Sequence, residues 1–346
     1  MLWVINILNY IKKLVMKTSN IHYNNFDILR LSLAILVFFA HWNILTQQNI
    51  FNQLFHLSGY AVDMFFIVSG FLIFWSFEND QNKSNFFIKR FFRVFPLYLL
   101  LILLQTLFFI FYSDGTSTQI FKYFISNFFF LNFLSPSVGD IFLGLEINAI
   151  NGSLWTLKNE LMFYLLVPFI FIYYKKWGGA FLMILYGLSV LYMYGVDYFG
   201  ITKLLHQFPA QLRLFIVGII LYILFKKINN KNIYFLAIVG FISIFFLENN
   251  INFEFIFYPF SIGILMIFLV YYINIINIKF DFSYSFYILH FPVIQLALYF
   301  HVNPSNPIIS FISLFFIILL LSYFSEKYIE KKFIQIGKSM IKREVK

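Results

Sequence analysis

Runs of about 17 to 21 apolar residues recur along the chain, separated by short polar stretches. Each run is long enough, as a helix, to cross a hydrocarbon layer about 30 Å thick. The pattern predicts spans at 26–44, 57–77, 94–112, 155–174, 180–196, 209–225, 233–247, 256–276, 284–300 and 307–324. The expected fold is therefore all-α, a polytopic membrane bundle of about ten transmembrane helices. The run at 233–247 is short, and 120–134 fits a re-entrant or interfacial helix. The longest stretch between spans, 113–154, contains Ser135-Pro136-Ser137, Gly139, Gly144 and Gly152 and reads as a loop partly covering one mouth of the bundle. Met1 to Tyr10 is apolar but short, lacks a small-residue cleavage site and is followed by Lys12, Lys13 and Lys17, so it is expected to lie at the interface rather than act as a signal peptide. The expected division is an interfacial segment at 1–23, a membrane domain at 24–332 and a basic tail at 333–346.

Composition agrees with the pattern: 61% of the 346 residues are hydrophobic and 12% are charged, about half the charged share of a soluble domain. The net charge of +10 is spread between the runs and into the tail, with no folded basic domain, which argues against a nucleic-acid partner. Its distribution orients the bundle. With both termini on the cytoplasmic side, Lys83, Lys89, Arg90, Arg93, Lys175, Lys176, Lys226, Lys227, Lys231 and Lys279 all lie inside, whereas Lys122 and Lys203 lie outside. A multi-pass protein of the cell's inner, cytoplasmic membrane is expected. The absence of cysteine excludes disulfides, thiolate metal sites and a cysteine nucleophile, and no metal site is expected.

Ionisable residues inside spans are costly and so draw attention as functional candidates, with structural ion pairs as the alternative. Arg30 and His41 are eleven residues apart, which places them on one helix face about 16 Å apart in depth. An arginine at a span end also snorkels, and a single intramembrane histidine also bonds a neighbouring helix. Asp63 and Glu160 reach depths comparable to that of His41, where a carboxylate beside an imidazole would fix its tautomer and raise its basicity. Arg90 and Arg93 share a helix face and present planar guanidinium forks suited to phosphate; as a topogenic cluster they would equally hold their loop inside. Ser69 suits helix packing, and Arg213 suits either a carboxylate partner or substrate. His22, His56, His206 and His301 fall in loops or at interfaces, away from chemistry.

Together these residues give the chain its resemblance to the integral membrane acyltransferases of the acyltransferase-3 type, which O-acetylate cell-surface polysaccharides and related glycans. Phe26-Asp27-Ile28-Leu29-Arg30, followed by ten residues and His41, resembles the family's Arg-x10-His signature. Gly59 to Ile73, and Lys89-Arg90-Phe91-Phe92-Arg93-Val94-Phe95-Pro96, are similar to its second-span and Arg-x-x-Arg elements. The stretch Ser153 to Tyr164 resembles its Trp-Ser-Leu…Glu…Phe-Tyr element, with Thr156 where serine is usual. Phe282-Ser283-Tyr284-Ser285-Phe286-Tyr287-Ile288-Leu289-His290-Phe291-Pro292 and Tyr328-Ile329-Glu330-Lys331 resemble the late elements, Lys331 replacing a frequent proline.

The resemblance implies acetyl-CoA as donor and a glycan or lipid-linked sugar as acceptor, with membrane lipids around the protein. It implies that Arg30, Arg90 and Arg93 hold the CoA phosphates and that His41 acts as general base or transient acyl carrier. Asp63 and Glu160 would orient the imidazole or the acceptor hydroxyl, Trp155 would stack on a sugar or anchor at the interface, and His290 would line the donor cleft. Because some relatives carry an additional hydrolase-like domain after the membrane part, the chain reads as a stand-alone transferase. The rival readings are a glycan or lipid-linked sugar exporter and a non-catalytic scaffold.

Overall fold

The computed structural model describes residues 23–48, 50, 57–225, 233–247, 250–272, 281–302 and 306–344. The expected interfacial segment, His22, His56, Lys226, Lys227, Lys231 and Lys279 lie outside the described residues.

The described chain is helical, as its apolar runs require: in hydrocarbon every backbone N–H and C=O must be satisfied within the segment. In chain order the helices are α1 (Tyr23–Thr46), α2 (Leu57–Asn79), α3 (Lys83–Tyr112), α4 (Ser117–Phe128), α5 (Trp155–Trp177), α6 (Gly179–Tyr198), α7 (Phe208–Phe225), α8 (Ile233–Leu247), α9 (Tyr258–Tyr272), α10 (Ser283–Tyr299), α11 (Pro307–Ser325) and α12 (Lys331–Glu344). Within the described residues each predicted run falls on a helix. Eight are long and apolar enough to cross a membrane, α9 only together with the π-helical turn Phe253–Phe257 before it, while α8 has 15 residues and α10 has 17. The amphipathic α4, 12 residues long, is too short to cross and caps its own start with a reciprocal Thr116–Gln119 box. The segment expected as a tail, 333–346, belongs as far as residue 344 to α12, which packs along the start of α3 with Gly337 against Phe92.

The apolar faces are arranged inversely to those of a water-soluble protein. Leu100, Leu103, Leu104, Leu107, Ile110 and Phe111 on α3 are all exposed, a contiguous patch that water would not tolerate and lipid tails would cover. Polar side chains turn inward instead.

At the centre, α1 packs against α2 and α10, and α2 against α7. The α2–α7 contact depends on two glycines. A Cβ on Gly70 would lie 2.2 Å from the Phe215 carbonyl oxygen, and one on Gly218 would lie 2.2 Å from that of Ile67. Backbones this close leave no room for any side chain at either position. Proline shapes α10 in a second way. Pro292 lacks an N–H, so the Ile288 carbonyl loses its helical donor, and Asn151 of the preceding loop supplies one at 2.9 Å. Gly152 sits directly against the Phe291 ring, where a Cβ would come within 2.8 Å of two ring carbons. The loop that ends at α5 is thereby fastened to α10 one turn from His290.

Candidate functional site

Three helix starts converge at the arginine end. Arg93 of α3 and Arg30 of α1 both donate to Oδ2 of Asp281, at 2.9 and 3.0 Å, and Arg30 also bonds Asp27. Ser283 in the first turn of α10 donates to the other Asp281 oxygen at 2.7 Å. Burial favours the neutral acid, but Arg30 and Arg93 outweigh it and hold the Asp281 carboxyl well below the usual carboxylate range. Lys89 pairs with Asp80 at 2.6 Å, and that bond lowers the Asp80 carboxyl from its usual value.

Arg90 differs from these neighbours. Its guanidinium lies 5.6 Å from the centroid of the Phe86 ring and 5.7 Å from that of Tyr164, and its buried Nε has no hydrogen-bond partner. No described carboxylate lies within ion-pair distance of it. Arg30, Arg93 and Lys89 are each paired with a carboxylate, whereas Arg90 rests on two rings.

These cations line a cavity of about 420 Å³, within the usual range for small-molecule sites. From Arg30, Arg90 and Arg93 it runs between α2, α3, α5 and α10 past Ser69 and Glu160 to Thr156 and Tyr287. Tyr164 donates to Glu160, and the Thr156 and Tyr287 hydroxyls are 3.0 Å apart. At this end the Tyr287 ring stands 5.8 Å from His290. The cavity therefore stops one side chain short of the histidines.

His41 and His290 form a pair. His41 Nδ1 lies 2.7 Å from His290 Nε2, with ring centroids 5.0 Å apart and planes within 19° of parallel. His290 is fully buried, whereas His41 is only half-buried and also meets the edge of Phe291. The register follows from the pairing at the other end. Arg30 and Asp281 fix a common level; from there His41 is eleven residues up α1, about 16 Å, and His290 is seven residues above Ser283, about 10 Å. Phe38 fills the space between α1 and α10, against Phe286 and His290.

The structure thus brings Arg30, Arg90, Arg93 and Glu160 to one cavity, and His41 to His290. It departs from expectation at three residues. His290, expected along the donor cleft, is sealed against His41, with the Tyr287 ring between it and the cavity. Asp63 accepts from Tyr258 at 2.8 Å and faces the charge of Arg213, and Glu160 is bonded by Tyr164, so the described partner of the His41 imidazole is a histidine and not a carboxylate. Arg213 is buried and donates to the carbonyls of Glu254 and Phe255, at 2.9 and 3.4 Å, in the π-helical turn Phe253–Phe257. Wide i→i+5 turns leave carbonyls poorly served, and Arg213 satisfies two of them. Trp155 packs its ring against His206, at 5.0 Å, and Phe66, at 6.1 Å.

Asp281, Tyr287 and Asn151 carry the site and were not singled out in the sequence. Asp281 falls between two spans, where a lone carboxylate looks like ordinary loop. Its signal was that two unexplained arginines required a partner at the same end.

Among the described residues no group of three or more His, Asp and Glu could hold a metal. The arrangement can hold an anion at Arg90, an elongated apolar arm in the cavity, and a proton at the histidine pair.

The described chain is a polytopic helical bundle whose cationic cavity ends one side chain from a buried histidine pair. The chain belongs to the acyltransferase-3 family, whose model, described as an acyltransferase domain, matches residues 23–326. It is similar to nodulation protein 10 of Rhizobium leguminosarum bv. viciae, with 31% identity over 180 residues, 47% of this chain and 48% of that protein. The chain thus spans about half the length of the curated relative it matches. No solved structure matches it. It is an integral multi-pass membrane protein of that family.

Proposed function

We propose that the protein moves an acetyl group from acetyl-CoA, drawn from the cytoplasm, to a hydroxyl of a cell-surface or lipid-linked glycan in the inner membrane. The observation that carries this is the cavity running from Arg90, which forms no ion pair with a described carboxylate, to the Tyr287 wall of the His41–His290 pair. Arg90, flanked by Arg30 and Arg93, receives the phosphates of CoA. The pantetheine arm occupies the cavity and reaches up the depth of about 16 Å that separates Arg30 from His41. Movement of the Tyr287 ring admits the thioester to the imidazole.

His41 takes the proton from the glycan hydroxyl as its oxygen attacks the thioester carbonyl. The C–S bond breaks, the acetyl group stays on the glycan oxygen, and the CoA thiolate leaves with the proton returned by His41. Glu160, lining the cavity, orients donor or acceptor. Trp155, packed against His206, offers a face to a sugar ring.

The test compares O-acetyl content of surface glycans in cells lacking the gene, cells with it restored, and cells with His41→Ala at equal membrane expression. Loss of O-acetyl in the deletion and in His41→Ala, with recovery by the wild type, supports the reading. Full acetylation with His41→Ala refutes it. Glycan export that fails in the deletion, with no change in acetylation of the exported material, assigns the chain to transport instead.

A further inference from the structure

The histidine pair has one hydrogen-bond arrangement that its surroundings permit. His290 Nδ1 lies 3.2 Å from the Phe286 carbonyl oxygen, which can only accept, so this nitrogen carries a proton. That carbonyl has two lone pairs, one for the helical bond from the backbone N–H of His290 and one for the ring. A neutral His290 protonated at Nδ1 presents a lone pair at Nε2. The 2.7 Å contact then requires the proton between the rings to belong to His41 Nδ1. The opposite arrangement needs both nitrogens of His290 protonated. A cation would then stand on a fully buried ring, with no described carboxylate acting on either histidine.

We propose that His290 is a positioning residue that fixes His41 as the Nδ1–H tautomer, which makes Nε2 the nitrogen that accepts the hydroxyl proton. The proposal rests on the acyltransferase reading of His41 and names the reacting atom within it. His290 occupies the place that a carboxylate takes in many catalytic pairs. A neutral imidazole orients the base without adding a charge to a membrane interior. When His41 is protonated at Nε2, its Nδ1–H stays bonded to His290 Nε2, and the Phe286 carbonyl takes part of the charge through His290 Nδ1–H. Because His290 is fully buried, it acts through His41 and touches neither donor nor acceptor.

The test uses the full chain in lipid nanodiscs, with 15N-labelled histidine and the His41 signals assigned by their loss in His41→Asn. Wild type is expected to show a protonated Nδ1 and a pyridine-type Nε2 at His41. His290→Phe fills the same volume without an acceptor. It is expected to give a tautomer mixture and to lower kcat at least tenfold, with acetyl-CoA affinity unchanged. His290→Gln restores an acceptor oxygen at nearly the same reach, and is expected to recover both the tautomer and most of kcat. A wild-type His41 protonated at Nε2 overturns the proposal, as does full kcat in His290→Phe, or a His290→Gln as impaired as His290→Phe. The spectrum is read without turnover. A wrong tautomer alongside an inactive His41→Ala therefore removes only the role of His290, and the assigned tautomer alongside an active His41→Ala removes only the acyltransferase reading.

Discussion

At the scale of single residues, the arginine end separates two roles that look alike in sequence. Arg30 and Arg93 are committed to Asp281, whereas Arg90 rests on two rings and pairs with no described carboxylate. Arg90→Ala is expected to weaken acetyl-CoA binding ten- to hundredfold, the loss of one charge-assisted contact, with the melting temperature little changed. Titration calorimetry on the purified protein checks this, and unchanged affinity would move the phosphate site elsewhere. Asp281→Asn should act the other way. It leaves two guanidinium groups facing each other and is expected to destabilise by roughly 2–3 kcal/mol, the low end for a broken buried pair because Asp281 is still a fifth open to solvent. The sign with pH follows from the lowered carboxyl. Because its folded value lies below the unfolded value of about 4, the contribution is fully present above that pH. It fades only as pH falls through the folded value. The gap in melting temperature between wild type and Asp281→Asn should therefore be constant from about pH 5 to 8 and narrow in stronger acid; a gap that grew on acidification would contradict the pairing.

At the scale of elements, helix contacts decide what can change. Gly218→Val forces a branched side chain into the Ile67 backbone, where neither helix can yield without separating, and is expected to cost at least about 3 kcal/mol or prevent folding. Gly187 in α6 meets nothing within 4 Å, so Gly187→Ala should be neutral or stabilising by about 0.5–1 kcal/mol. Fluorescence-detected chromatography after graded heating separates the two, and equal behaviour would mean that α2 and α7 are not in backbone contact. Span positions were legible because hydrocarbon imposes one length and one backbone solution on each segment. Arg30 and His41 sharing a face was legible for the same reason, since spacing within a helix is fixed. Contacts between helices were not. Which residue reaches His41 depends on how α10 enters the bundle, and that level is set by Asp281, outside any apolar run. Asn151 shows the same limit: Pro292 announces an orphan carbonyl at Ile288, but nothing in the sequence says which loop will answer it.

At the scale of the molecule, the proposal depends on which side of the membrane the arginine end faces. CoA is a cytoplasmic metabolite in this reading, so the mouth beside Lys89, Arg90 and Arg93 must open inward. The charge distribution argues for that orientation, with Lys122 and Lys203 outside and Lys83 and Lys176 inside. The chain makes the test simple, because it contains no cysteine to remove first. Single substitutions Lys122→Cys and Lys203→Cys are expected to react with a membrane-impermeant maleimide in intact cells, while Lys83→Cys and Lys176→Cys react only after permeabilisation. Lys122 lies on α4 and Lys203 on the 3₁₀ turn before α7, both off the bundle's long helices, so labelling there reports sidedness and not local unfolding. The reverse pattern would turn the Arg90 cavity outward, away from the acyl donor. Arg30, Arg90 and Arg93 would then face the acceptor side, and the donor route through α2, α3, α5 and α10 would have to be abandoned even if His41 proved essential.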